Sequence, residues 1–183
     1  GTSFDEVEYL ILYDFGIHWF DIARCLLPGS RPQRVAAVKS YAPGQKPRPP
    51  MLASVIIELS DSLVTLNFDG MSRSLPEDRT RICGSKAEIL SFGPSLSKQE
   101  ILFSSAEGQA EVKLEGTWFS EGFQGSMAEL LLAIDENRAP ESSARDNLST
   151  LALCFAAIKA SQSGCWEAVS DPAGAMMRSE PEN

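Results

Sequence analysis

Met51-Leu-Ala-Ser-Val-Ile-Ile-Glu-Leu59, then Ser60-Asp61-Ser62, then Leu63-Val-Thr-Leu-Asn-Phe68, is the stretch from which the fold is read. Its period is two. Ala53, Val55, Ile57 and Leu59 fall on one face, and Leu52, Ser54, Ile56 and Glu58 on the other, as in a half-buried strand. Asp61-Ser62 is turn chemistry, and Val64, Leu66 and Phe68 carry the apolar face onto a second strand. Two such strands across a short turn predict an antiparallel hairpin. The second face is mixed, with Leu52, Ile56, Leu63 and Leu102 among polar residues, whereas a purely solvated face would be cleaner.

Working outward, residues 35–41 read as another strand. A loop carrying Pro43, Gly44, Pro47, Pro49 and Pro50 separates it from the hairpin. Downstream, strands are predicted over 79–84, 88–92, 100–104 and 111–115, divided by Gly84-Ser85, Gly93-Pro94 and Glu107-Gly108. Helices flank this β-rich middle. Residues 14–27 form one, closed by Pro28-Gly29. Phe123, Met127, Leu130, Leu131 and Ile134 recur at helical spacing in a second, ending at Arg138 before Pro140. Ser143-Ala-Arg-Asp146 has capping-box form and opens a third, with Leu148, Leu151, Phe155 and Ile158 inward and Gly164 as the stop. The order predicts an α+β fold: an open, mostly antiparallel β-sheet with helices packed on one face. One domain over 1–170 and a fraying tail over 171–183 are expected.

Composition narrows the function. The chain has 183 residues, 43% hydrophobic and 22% charged, with a net charge of −9. That balance describes a globular domain, and its dispersed acid repels phosphate backbones and anionic bilayers. Nucleic-acid and membrane partners are therefore not expected, and no run of 18 apolar residues exists to span a bilayer. Cys25, Cys83, Cys154 and Cys165 match no zinc spacing and read as buried, reduced thiols of a cytoplasmic protein. The single histidine, His18, excludes any multi-histidine metal site.

Chemistry is concentrated on the first helix. At 3.6 residues per turn, Asp14, His18 and Asp21 fall within an arc of about 60°. A carboxylate within reach orients an imidazole and fixes its tautomer, which makes His18 a candidate proton acceptor from a substrate hydroxyl. The bland alternative stays open at this point: Asp14 as an N-cap, Asp21 and Arg24 as a routine ion pair, and His18 as a structural residue. A second candidate is Gly116-Thr-Trp-Phe-Ser-Glu-Gly-Phe123, where Trp118 and Phe119 beside glycines could stack on a sugar ring or plug a core. The chain contains no G-x-G-x-x-G, Walker A, G-x-S-x-G or C-x-x-C motif.

Asp14-Phe-Gly16-Ile-His18-Trp-Phe-Asp21 resembles the D-x-G-x-H-x-x-D signature of the glucose–fructose oxidoreductase/inositol dehydrogenase (Gfo/Idh/MocA) family at every fixed position. Trp118-Phe119…Gly122-Phe123-Gln124-Gly125-Ser126-Met127 is similar to that family's W-F-x(2)-G-F-x-G-S-M stretch. Ile82-Cys-Gly84-Ser-Lys86-Ala-Glu88-Ile89 resembles its mid-sheet hairpin, with Ala87 where glycine is common. Residues 140–164 resemble its closing segment.

The resemblance implies the C-terminal domain of an NAD(P)-dependent oxidoreductase. An N-terminal Rossmann domain, expected upstream and absent from this chain, would bind NAD or NADP. It further implies a sugar or polyol substrate, His18 and Asp14 as catalytic acid/base and partner, and Asp21, Trp118 and Phe119 as substrate contacts. No cofactor-binding residue and no metal are expected on this chain, which should be inactive alone. A homo-oligomer through the open sheet face is expected. A stand-alone binding or assembly module of the same fold is the alternative, and a hydrolase using Asp14 and His18 lacks a nucleophile motif.

Overall fold

The computed structural model describes residues 3–170, so the expected tail over 171–183 lies outside the described residues. The chain divides into two compact units. One runs to Met71 and resumes at Ser142; the other is Ser72–Glu141.

The first unit is a four-stranded antiparallel sheet backed by two helices. β1 (Pro32–Ser40), β2 (Leu52–Leu59), β3 (Leu63–Asp69) and the short β8 (Glu167–Ala168) pair in the order β3-β2-β1-β8. The hairpin forms in the register its period requires, with Ile57 opposite Val64 and Val55 opposite Leu66. Val35, Ala37, Ala53, Val55, Ile57, Leu59 and Phe68 are buried on the inner face. α1 (Gly16–Leu26) contributes Phe20 to the same core, and α3 (Ala144–Ser163) contributes Leu153, Cys154, Ala156, Ala157 and Ala160. Each large aliphatic or aromatic side chain so buried contributes about 1.5–3 kcal/mol.

The inward side of α3 differs from its periodicity. Phe155 is exposed and Leu148, Leu151 and Ile158 are only partly buried, while Ala156, Ala157, Ala160 and Thr150 are enclosed. Small side chains let the helix backbone approach β1 closely, which a pattern ranked by hydrophobicity does not detect. The ends of α3 follow the sequence. Ser143 Oγ accepts from the Asp146 N–H at 3.1 Å, and Gly164 closes the helix at φ 69°.

The second unit is a separate four-stranded antiparallel sheet, β4 (Asp78–Cys83), β5 (Ala87–Ser95), β6 (Lys98–Ser105) and β7 (Gly108–Val112), in sequence order, followed by α2 (Ser120–Asp135). The α+β class and the antiparallel pairing match the sequence, but the strands form two sheets. Gly70 to Glu77 carries Gly70 and Pro76 and no alternating run, so pairing stops after β3, and β4 closes locally on β5 through the tight turn at 84–86. The mixed face assembled from Leu52, Ile56, Leu63 and Leu102 is divided accordingly, since Leu102 lies on β6. A bulge interrupts β5–β6 between Phe92 and Ser95. Gly93 sits there because a Cβ would overlap the Lys98 carbonyl.

Candidate functional site

The helix expected over 14–27 is two segments. Ile11–Phe15 makes a π turn, in which the Gly16 N–H donates to the Ile11 carbonyl, and α1 continues from Gly16. Ile11 and Leu12 anchor the turn in the core. Gly16 suits the close packing there: an added Cβ would lie 3.1 Å from Ile11 O, a tight contact, and 3.6 Å from the Phe68 ring. Asp14 therefore sits inside a continuous helical path, not at a cap, and Phe15, at the N-cap of α1, makes no side-chain cap bond. π turns widen a helix by one residue and recur at functional sites. Here the turn presents Asp14 and Phe15 on the exposed side, with His18 exposed one turn later.

The surroundings of His18 are aromatic on one flank. Its ring meets Trp19 edge-on at 6.3 Å, Trp19 stacks on Phe15 at 4.9 Å, and Phe68 meets both edge-on. Among the described residues, no hydrogen bond or ion pair joins Asp14 to His18. An exposed imidazole with a carboxylate one helical turn away can exchange a proton with a small hydroxylated molecule.

Asp21 belongs to a different setting. Its Oδ1 accepts a 2.7 Å hydrogen bond from the Thr150 hydroxyl on α3 and lies 3.6 Å from Arg24. Arg24 in turn donates to Thr150 Oγ1 at 2.7 Å and forks onto both carboxylate oxygens of Asp146, at 2.8 and 3.2 Å. Burial works to lower the Arg24 guanidinium, but the Asp146 hydrogen bond and the charges of Asp146 and Asp21 outweigh it and hold Arg24 above its ordinary value. So the three-residue stripe divides. Asp14 and His18 face solvent, and Asp21, expected as a substrate contact, spends an oxygen on α3. The Asp21–Arg24 pair was legible from spacing, but Thr150, seven residues past the capping Ser143, carries no signal in a single sequence.

Trp118 and Phe119 lie in the second unit, at the entry to α2. Gly116 turns the chain at φ 86°, and the Glu121 carboxylate accepts from the Thr117 N–H at 2.8 Å and from its hydroxyl at 2.5 Å. The hydrogen bonds from Thr117 lower the Glu121 carboxyl. Phe119 is exposed and stacks on Phe123 at 6.4 Å. Among the described residues, no group of three His, Cys, Asp or Glu side chains is gathered as a metal ion would require, and no helix is long and apolar enough to cross a membrane.

Residues 10–169 match the oxidoreductase family's C-terminal alpha/beta domain. The chain belongs to the Gfo/Idh/MocA family of oxidoreductases. No curated protein matches it by sequence. Solved structures share the fold. An oxidoreductase from Agrobacterium radiobacter, in complex with NAD+, L-tartaric acid and magnesium, is 20% identical with a TM-score of 0.76, over 92% of this chain and 51% of that one. Aldose–aldose oxidoreductase from Caulobacter crescentus, complexed with glycerol, is 21% identical with a TM-score of 0.69, over 86% and 47%. A levoglucosan dehydrogenase complexed with NADH is 14% identical with a TM-score of 0.75, over 93% and 54%. This Gfo/Idh/MocA chain thus spans about half the length of the solved proteins it resembles.

Proposed function

We propose that this chain is the substrate-binding and oligomerisation domain of an NAD(P)-dependent sugar or polyol dehydrogenase, with His18 as the acid/base and Asp14 as its partner. One observation carries the assignment. On a helix whose other side is locked into the core by Phe20, His18 is exposed on the first turn of α1 and Asp14 on the π turn that runs into it and closes on the Gly16 N–H. Solved proteins of this fold include complexes with NAD+, with NADH and with L-sorbose, which supports the cofactor and substrate class.

The described residues do not fit a dinucleotide. Both sheets are antiparallel, and no glycine-rich turn links a strand to a helix as phosphate binding requires. The nucleotide would be held by residues outside this chain. The share of this chain is the proton: an imidazole nitrogen of His18 takes it from the substrate hydroxyl, and Asp14 orients the ring or the substrate. Taken by themselves on the second unit, Trp118 and Phe119 are aromatic surface of the kind on which a sugar ring stacks. The outer face of the first sheet, where Val38 and Leu63 stay exposed beside Ile56, supports an isologous homo-oligomer. Ile56→Glu should dissociate it in sedimentation experiments, and a wild-type monomer at micromolar concentrations would contradict it.

The test is a panel of aldoses and polyols offered with NAD+ and NADP+, following reduced nicotinamide. The full-length protein should turn over at least one of them. The 183-residue chain alone should turn over none and should not bind NADH or NADPH. Micromolar NADH binding by this chain, or a full-length protein inert to every carbohydrate, would overturn the proposal.

A further inference from the structure

α3 grips the segment that carries Asp14 and His18 at both ends. Before the pair, the Cys154 thiol donates to the Leu12 carbonyl at 3.4 Å, and the rings of Phe155 and Tyr13 meet at 6.1 Å. After it, Thr150 joins Asp21 and Arg24. These contacts run in opposite order along the two helical segments, so α1 and α3 are antiparallel, and the acid/base pair lies between two points of attachment.

The two attachments differ in kind. The first is apolar contact and one weak sulfur bond, which tolerate small rotations. The second is directional. Thr150 is fully enclosed. Its single hydroxyl hydrogen goes to Asp21, and its oxygen receives Arg24. Both partners lie on α1, three residues apart, with Asp21 three residues after His18. Arg24, with a side chain only 18% exposed, is fixed by its fork on Asp146. A helix tied through two side chains to one buried hydroxyl cannot turn about its axis without breaking a bond.

We propose that Thr150 is a positioning residue: its hydroxyl, through Asp21 and Arg24, sets the rotation of α1 and hence the direction in which His18 presents its imidazole. The catalytic consequence rests on the acid/base role given to His18 above; the structural consequence does not. Asp21 and Asp146 then act through α1 and need not touch substrate.

Because the chain has one histidine, isotope labelling of histidine gives one imidazole to observe by NMR. In the 183-residue chain, Thr150→Val keeps the shape and removes the hydroxyl, and Thr150→Ser restores it. The expected result is broadened or multiple His18 ring signals in T150V, a single sharp set in T150S as in wild type, and unchanged circular dichroism in both. A wild-type His18 spectrum in T150V, or the same disturbance in T150S, overturns the proposal. If T150V does not fold, Arg24→Lys decides. It keeps the charge and loses the fork, and a wild-type His18 signal in that folded variant also overturns it.

In the full-length enzyme, T150V should lower kcat, up to about 10²-fold for a displaced catalytic group, with KM little changed and with rescue by T150S. Turnover unaffected by His18→Ala would defeat the acid/base assignment while leaving the NMR result standing, so the two failures are distinguishable.

Discussion

α2 and α3 carry apolar residues at the same helical spacing, yet they end in opposite circumstances. α3 is packed between β1 and α1 and buries Leu153, Cys154, Ala156, Ala157 and Ala160. α2 buries only Ala133, with Phe123 66%, Leu131 67% and Ile134 69% exposed. The same contrast holds for the units. The first has an enclosed core, and the second contributes only Ala133 to the enclosed apolar residues described. A period of 3.6 states that a segment will be helical and that one side wants cover. It does not state which surface provides the cover, nor whether that surface lies within the same compact unit.

If the difference is energetic, it appears first in stability. Phe20→Ala in the first unit should cost about 3–5 kcal/mol in urea unfolding of this chain. Ile134→Ala on α2 should stay within about 0.5 kcal/mol, as at an exposed position. Equal costs would remove the distinction between the units. Amide exchange sharpens the comparison strand by strand. β2, flanked by β1 and β3 over a buried face, should be protected far longer than β5, which is flanked equally but over a half-exposed face.

Thiol chemistry probes the same contrast at single residues. Burial, expected of all four cysteines, holds only for Cys154, whose thiol it pushes up to about 12; Cys25, Cys83 and Cys165 are exposed, and no disulfide joins the four. At neutral pH an aromatic disulfide reagent should label three sites quickly and Cys154 only on unfolding. Four equal rates would contradict an enclosed core around α3.

The smallest effect expected is at the end of α2. Arg138, by hydrogen bonding, and then the Glu141 N–H lower the Glu129 carboxyl from 4.5 to about 2. A carboxyl lowered on folding stabilises above its unfolded value, and that stabilisation is lost as pH falls from about 4.5 toward 2. The signals of 138–141 should therefore shift in that window in wild type and not in Glu129→Gln. A shift that persists in the variant would place its origin elsewhere.

Much of this was legible beforehand, for identifiable reasons. Alternation at Met51–Phe68 fixes both pairing and face, because a one-residue slip would expose Val55 and Ile57. Ser143 with Asp146 and Gly164 are local chemistry, and they set the bounds of α3. The partition into two sheets was not legible, since it depends on which strand edge β4 meets after a break at Gly70–Glu77. Nor was the π turn, whose Gly16 is explained only by the proximity of Ile11 O and Phe68. For the site, the residues of the Asp14/His18/Asp21 stripe were visible, but their division was not. Thr150, 129 residues from Asp21, decides it.

The proposed acid/base role of His18 is tested most directly by turnover of the proposed full-length dehydrogenase with His18→Ala, on the carbohydrate that the wild type processes best. A loss of roughly 10²–10⁴-fold, the usual worth of a general base, with unfolding stability of the chain altered by less than about 1 kcal/mol, is the predicted result. Wild-type turnover in that variant would contradict it.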